Sequence, residues 1–131
     1  ALNDACDALL AERGQPVAPP VSRPKIVCLC GSTRFLDAWK KAHREETLKG
    51  HIVLAIGVMI QAGDIPIPDG SPDRAMLDEL HLRRIDLADE ILVLNVGGYI
   101  GSSTKSELAY ARQHGKPVRF LEEGPEELRD G

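Results

Sequence analysis

Two apolar patterns alternate along the chain. Short, largely unbroken apolar runs occupy residues 26–30, 51–58, 90–96 and 117–121. Between them, at 34–49, 73–89 and 104–114, apolar residues return every third or fourth position. The runs read as strands buried on both faces, which is the habit of parallel sheets. The periodic stretches read as amphipathic helices. In the first of these, Phe35, Ala38, Trp39 and Ala42 form the stripe, and Gly50 stops the helix. Gly115 does the same for the last. Strands that alternate with helices are joined by right-handed crossovers. The expected fold is therefore α/β: a doubly wound (Rossmann-like or flavodoxin-like) parallel sheet of four to five strands with helices on both faces.

The connections add detail. Residues 59–72 carry Gly63, Pro66, Pro68, Gly70 and Pro72, a stiff loop able to lie over the sheet edge or simply to connect. Residues 97–103 form a Gly/Ser loop. Residues 3–13 read as a short helix, with Asn3 as N-cap and Gly14 as stop. The stretch 15–24 holds Pro16, Pro19, Pro20 and Pro24 and reads as an extended linker. The division is thus an N-terminal helix and Pro-rich linker at 1–24 and one domain at 25–131. The acidic tail from Glu122 is read as a short helix or as disordered.

Composition narrows the function. A chain of 131 residues with 43% hydrophobic and 27% charged residues is an ordinary globular domain. Its net charge of −4 argues against non-specific nucleic-acid binding, which needs a basic surface. No apolar stretch approaches the ~20 residues of a membrane span, and no charged-then-apolar leader is visible. Three cysteines, an odd number, fit reduced thiols and a cytoplasmic location. Cys28 and Cys30 read as small core residues on one face of the first strand; their spacing matches no common zinc pattern.

In such sheets ligands bind beyond the carboxyl ends of the strands, at helix starts. Two loops qualify. In the first, Gly31 permits close backbone approach, Ser32 and Thr33 place hydroxyls beside free amides, and Arg34 offers a planar fork suited to phosphate. Capping of the helix by Ser32 or Thr33 is the competing reading. The second loop follows Asn95 and carries Gly97, Gly98, Tyr99, Gly101, Ser102 and Ser103. It is neither a Walker loop nor a dinucleotide fingerprint, yet its amides and hydroxyls suit a phosphate or a sugar. Glu107 lies just beyond. Thr104-x-x-Glu107 has the spacing of a capping box; a carboxylate beside a sugar-binding loop can instead capture the oxocarbenium-like centre of a breaking glycosidic bond. A wheel of residues 73–89 puts Met76, Leu77, Leu80, Leu87 and Ala88 on the buried side, with Arg84 inside that sector and His81 on its edge. Those two read as ligand or subunit contacts, or as snorkelling or capping groups. Periodicity does not single out Asp86.

At these residues the chain resembles the nucleoside 2-deoxyribosyltransferase superfamily, including its nucleotide N-glycosidase branch. The resemblance spans residues 25–121. It rests on Cys30-Gly31-Ser32-Thr33-Arg34, on Arg84-Ile85-Asp86-Leu87-Ala88-Asp89, on the loop 97–103, and on Glu107-Leu108-Ala109-Tyr110-Ala111 with Gly115-Lys116-Pro117-Val118. It implies an enzyme that cleaves the N-glycosidic bond of a nucleoside 5′-monophosphate or deoxynucleoside, by hydrolysis or base transfer. Glu107 would be the nucleophile and Asp86 the acid that orients or protonates the base. Ser32 with Ser102 or Ser103 would bind a 5′-phosphate, assisted by Arg34; Asn95 and Tyr99 complete the expected binding set. The resemblance further implies no cofactor or metal and a homodimer or larger assembly. Transferases of the family carry an acidic residue about six positions before the nucleophile. Gly101, flanked by Ser102, stands there instead, which shifts the expected ligand toward a nucleotide. The alternative is a non-catalytic nucleotide-binding or sensing module, since fold does not dictate function.

Overall fold

In a computed structural model, residues 23–59, 63 and 65–122 are described. The N-terminal helix expected at 3–13, most of the linker and nearly all of the acidic tail fall outside these residues. The described elements are β1 (Ile26–Gly31), α1 (Leu36–Leu48), β2 (Ile52–Leu54), α2 (Pro72–Leu87), β3 (Glu90–Leu94), a 3-10 turn (Val96–Gly98), α3 (Ser102–Gln113) and β4 (Val118–Phe120). All strand pairings are parallel, in the order β2-β1-β3-β4. Val27 pairs with Glu90, Ile26 with Ile52, and Ile91 with Val118. The fold is a doubly wound α/β sheet of flavodoxin-like type, with four strands among the described residues.

Alternation along β1 and β3 divides the core into two layers. Val27, Leu29, Leu92 and Leu94 pack with Trp39 and Ala42 of α1. Cys28, Cys30, Ile91 and Val93 pack with Ile85 of α2 and with Leu108 and Ala111 of α3. The unbroken apolar runs are the two central strands, as continuous burial requires. The run at 51–58 behaves differently. Only residues 52–54 join the ladder, because among the described residues β2 is an edge strand with β1 as its sole neighbour. Past Leu54 the chain leaves the sheet, and Ala55, Ile56 and Met59 pack partly buried against the α1 layer.

Helix α2 corrects the wheel. Its buried row is His81 and Ile85, continued by Ala88, whereas Met76, Leu80 and Leu87 are 52%, 41% and 66% exposed. Leucines lie on several sides of this helix, so apolar periodicity had little contrast. The histidine that begins the buried row is accommodated by Cys28 and Cys30 on β1 and Glu107 on α3. Ser71 caps α2 by accepting a hydrogen bond from the Arg74 amide at 3.1 Å, and Pro72 occupies the first helical position.

Helix α3 begins at Ser102, earlier than the pattern suggested, with Gly101 as N-cap. Thr104 is therefore inside the first turn and buried, and Glu107 lies in the second. The capping box does not form, because neither residue stands at the position that geometry needs.

Candidate active site

Beyond β1 the chain turns to one side of the sheet to make β2, and beyond β3 to the other side to make β4. The loops after β1 and β3 diverge at this switch point and leave a crevice between them. A cavity of about 160 Å³ occupies it. Gly31, Ser32 and Thr33 line one wall; Tyr99, Gly101, Ser102, Ser103 and Thr104 line the opposite one. Arg74, Asp78, His81 and Arg84 of α2 and Glu107 of α3 supply the titratable lining.

Local structure explains each wall. Gly31 is required by the sheet: a Cβ there would meet Leu94 Cβ at 2.9 Å. The Ser32 carbonyl accepts from Trp39 Nε1 at 2.9 Å, and its hydroxyl accepts from the Arg34 amide at 3.3 Å. Neither Ser32 nor Thr33 caps α1, whose N-cap is Phe35. The Arg34 guanidinium sits 4.8 Å from the Tyr99 ring centroid, and the Phe35 ring meets Tyr99 edge-on at 6.0 Å. Arg34 thus braces the Tyr99 wall from outside and is absent from the lining. Gly97 and Gly98 turn the chain with φ of 62° and 82°, a region other residues rarely adopt.

Two other expected site residues also lie elsewhere. Asn95 is fully buried; its side chain donates to the Glu122 carbonyl and accepts from the Glu122 amide, both at 2.8 Å. It ties the end of β3 to the chain after β4. Asp86 accepts from the Tyr110 hydroxyl at 2.6 Å and pairs with Arg83 at 2.9 Å, on the surface where α2 meets α3. A residue five places from His81 on a helix points well away from it, so Asp86 does not reach the cavity that His81 lines.

The floor of the cavity holds groups whose chemistry only the fold brings together. Glu107 is largely buried, its side chain 18% exposed, and burial pushes its pKa up to about 7 against the pull of His81. His81 Nε2 lies 3.8 Å from Glu107 Oε1, 3.4 Å from Cys30 Sγ and 3.9 Å from Cys28 Sγ. Burial acts to lower the His81 pKa, but Cys28 and the charge of Glu107 outweigh it and raise it. Cys30 donates toward Cys28, which brings the Cys28 thiol down to about 6 and holds Cys30 above its ordinary range. His81 Nδ1 is buried with no hydrogen-bond partner among the described residues. Cys28, Cys30 and His81 are ligand types for a metal, with their three ligand atoms within 4.8 Å of one another. The Arg84 guanidinium makes no hydrogen bond or ion pair among the described residues, while Arg74 is paired with Asp69 at 2.9 Å. His81 and Arg84 were visible in the sequence as polar residues in or beside an apolar sector. Asp78 and the role of the two cysteines had no signal there.

A crevice at the switch point of a doubly wound sheet, lined by hydroxyls, a guanidinium and a buried carboxylate, is a candidate small-molecule site. No family model matches the sequence, and no curated protein matches it. Among solved structures, the chain is similar to a 2-deoxyribosyltransferase from the psychrotolerant bacterium Bacillus psychrosaccharolyticus, described as a biocatalyst for the synthesis of antiviral and antitumoral nucleosides. The two share 22% identity over 72% of this chain and 70% of that one, with a TM-score of 0.51. The shared property is the fold. None of the helices among the described residues is long and apolar enough to cross a membrane.

Proposed function

We propose that this chain is an enzyme of the 2-deoxyribosyltransferase type that breaks the N-glycosidic bond of a nucleoside 5′-monophosphate or deoxynucleoside, with Glu107 as nucleophile. The carrying observation is that Glu107 is no helix cap: its carboxylate faces a cavity between two hydroxyl-lined loops. In the reaction the ionised carboxylate attacks the anomeric carbon. The carbon–nitrogen bond breaks, its electron pair goes to the base nitrogen, and the departing base takes a proton. Water or a second base then opens the glycosyl ester. Burial strengthens the interaction of the carboxylate with the positive charge that develops on the sugar.

Ser102, Ser103 and the amides that open α3 would receive an anionic group, helped by the helix dipole and by Arg84. Ser32 and Thr33 face them across the cavity. Asp78 lines the cavity, so the base-side role passes to it from Asp86. The similar structure supports the glycosyl chemistry through its fold; the polar lining supports the nucleotide preference. The same reading carries homo-oligomerisation, which sedimentation of the purified chain tests. The decisive experiment incubates the protein with a panel of nucleosides and 5′-monophosphates and looks for free base by chromatography. Base release that disappears in Glu107→Ala while ligand binding persists supports the reading. Nucleotide binding with no base release from any member of the panel overturns it in favour of a sensing module.

A further inference from the structure

Four groups from three elements converge beneath the cavity. Cys28 and Cys30 leave β1 on the face covered by α2 and α3. His81 comes from α2 and Glu107 from α3. From His81 Nε2 the separations are 3.4 Å to Cys30 Sγ, 3.9 Å to Cys28 Sγ and 3.8 Å to Glu107 Oε1. A tetrahedral ion with bonds of about 2.0–2.3 Å has ligand-to-ligand edges of about 3.3–3.8 Å. For such bonds an N–S edge is about 3.5 Å and an N–O edge about 3.3 Å, so the Cys30 separation already matches, while those of Cys28 and Glu107 must close by about 0.4–0.5 Å. Cys28, Cys30 and His81 have their ligand atoms within 4.8 Å of one another, and Glu107, outside that group of three, would move in as the fourth ligand.

We propose that Cys28, Cys30, His81 and Glu107 form a binding site for a borderline-soft divalent cation of the zinc type. Two sulfurs and an imidazole favour such ions over magnesium or calcium, which take oxygen ligands. Binding displaces to solvent the protons that these four groups carry, so that the sulfurs bind as thiolates, His81 as the neutral imidazole and Glu107 as the carboxylate, and it moves no electron between metal and protein. With two thiolates and a carboxylate the loaded site carries one net negative charge, which the positive charge of Arg84 beside Cys28 and His81 offsets. The path in is the cavity itself, since His81 and Glu107 line it. The assignment does not need Glu107 to be a nucleophile. If it is one, the ion and the reaction compete for a single carboxylate, and the loaded protein is inactive.

The test uses the full, reduced, metal-free chain and cobalt(II), whose spectrum reports its ligands. The expected result is one equivalent bound, with an intense tetrahedral visible band and a sulfur-to-cobalt charge-transfer band, both erased by stoichiometric zinc. Cys28→Ser and Cys30→Ser should each change the charge-transfer band and weaken binding at least about 100-fold; Glu107→Gln should keep the band with binding about 10-fold weaker. Cys6→Ser, which removes the remaining cysteine of the sequence, should change nothing. A wild-type protein with no charge-transfer band overturns the proposal, whatever the variants do. A band that survives Cys28→Ser and Cys30→Ser unchanged, or is lost in Cys6→Ser, overturns it as well. Base release is assayed separately on metal-free protein, so a spectrum without turnover defeats the enzymatic reading alone, and turnover without a spectrum defeats the metal site alone.

Discussion

His81 Nε2 and Glu107 Oε1 face each other at 3.8 Å across the interface between α2 and α3, beneath the crevice where the sheet changes direction. Neither group is placed by its own helix for helix stability. Glu107 caps nothing, and His81 begins the row that α2 buries. Burying a carboxylate here costs stability at neutral pH, so its presence beside the cavity favours a chemical role. Glu107→Gln should therefore lower base release at least about 1,000-fold while the melting temperature at pH 8 stays level or rises. A melting temperature that falls by several degrees would show that Glu107 holds the fold together.

Arg84 should decide between nucleotide and nucleoside. With no partner among the described residues, its guanidinium is available to an anionic substrate group. Arg84→Ala should raise KM for a 5′-monophosphate about 10- to 100-fold, the value of one to two charge-assisted hydrogen bonds, and leave KM for the free nucleoside unchanged. Asp86→Asn should leave both constants within about twofold, because Asp86 is engaged with Tyr110 and Arg83 outside the cavity.

Asn95 divides structure from function in a different way. Both ends of its amide are used by the backbone of Glu122. Asn95→Ala removes both of these hydrogen bonds and should destabilise the fold by about 1–3 kcal/mol. If the chain has the proposed activity, KM of the remaining folded protein should not move. Denaturant titration and steady-state kinetics on the same preparation check both halves.

Glu46 sets a limit on acid stability. Its buried carboxylate receives Arg119, Lys49 and His51. Burial alone would raise its pKa, yet those three partners bring it down to about 2. A carboxylate whose folded pKa is depressed stabilises the fold fully above its unfolded value near 4.5, and that contribution disappears as pH falls toward 2. Glu46→Gln should flatten the stability profile across this window. At pH 7 it should cost about 3 kcal/mol, the scale for removing one partner of a buried ion pair.

Gly31 tests the packing of the central strands. An added methyl group at 2.9 Å from Leu94 Cβ forces β1 and β3 apart, so Gly31→Ala should destabilise by about 1–3 kcal/mol. Because Gly31 also lines the cavity, its variant should lose substrate affinity together with stability.

The sequence by itself determined the parallel α/β sheet, since unbroken apolar runs such as 26–30 and 91–94 can be satisfied only in the middle of a sheet covered on both faces. It also pointed to the loops after those runs, which line the cavity, because the polar groups at helix starts must face a ligand or water. What it could not decide were quantities set by packing between elements. The true start of α3 turned Glu107 from a possible cap into a cavity residue. The rotation of α2 buried His81 and exposed Met76, Leu80 and Leu87, although the leucines promised the opposite. Asn95, Arg34 and Asp86 have the right chemistry for a ligand, but tertiary partners claim them first. Helix rotation is a small angle that periodicity resolves poorly. Yet it decides which of a helix's polar groups meets the carboxylate and the thiols, and so which chemistry this fold can perform.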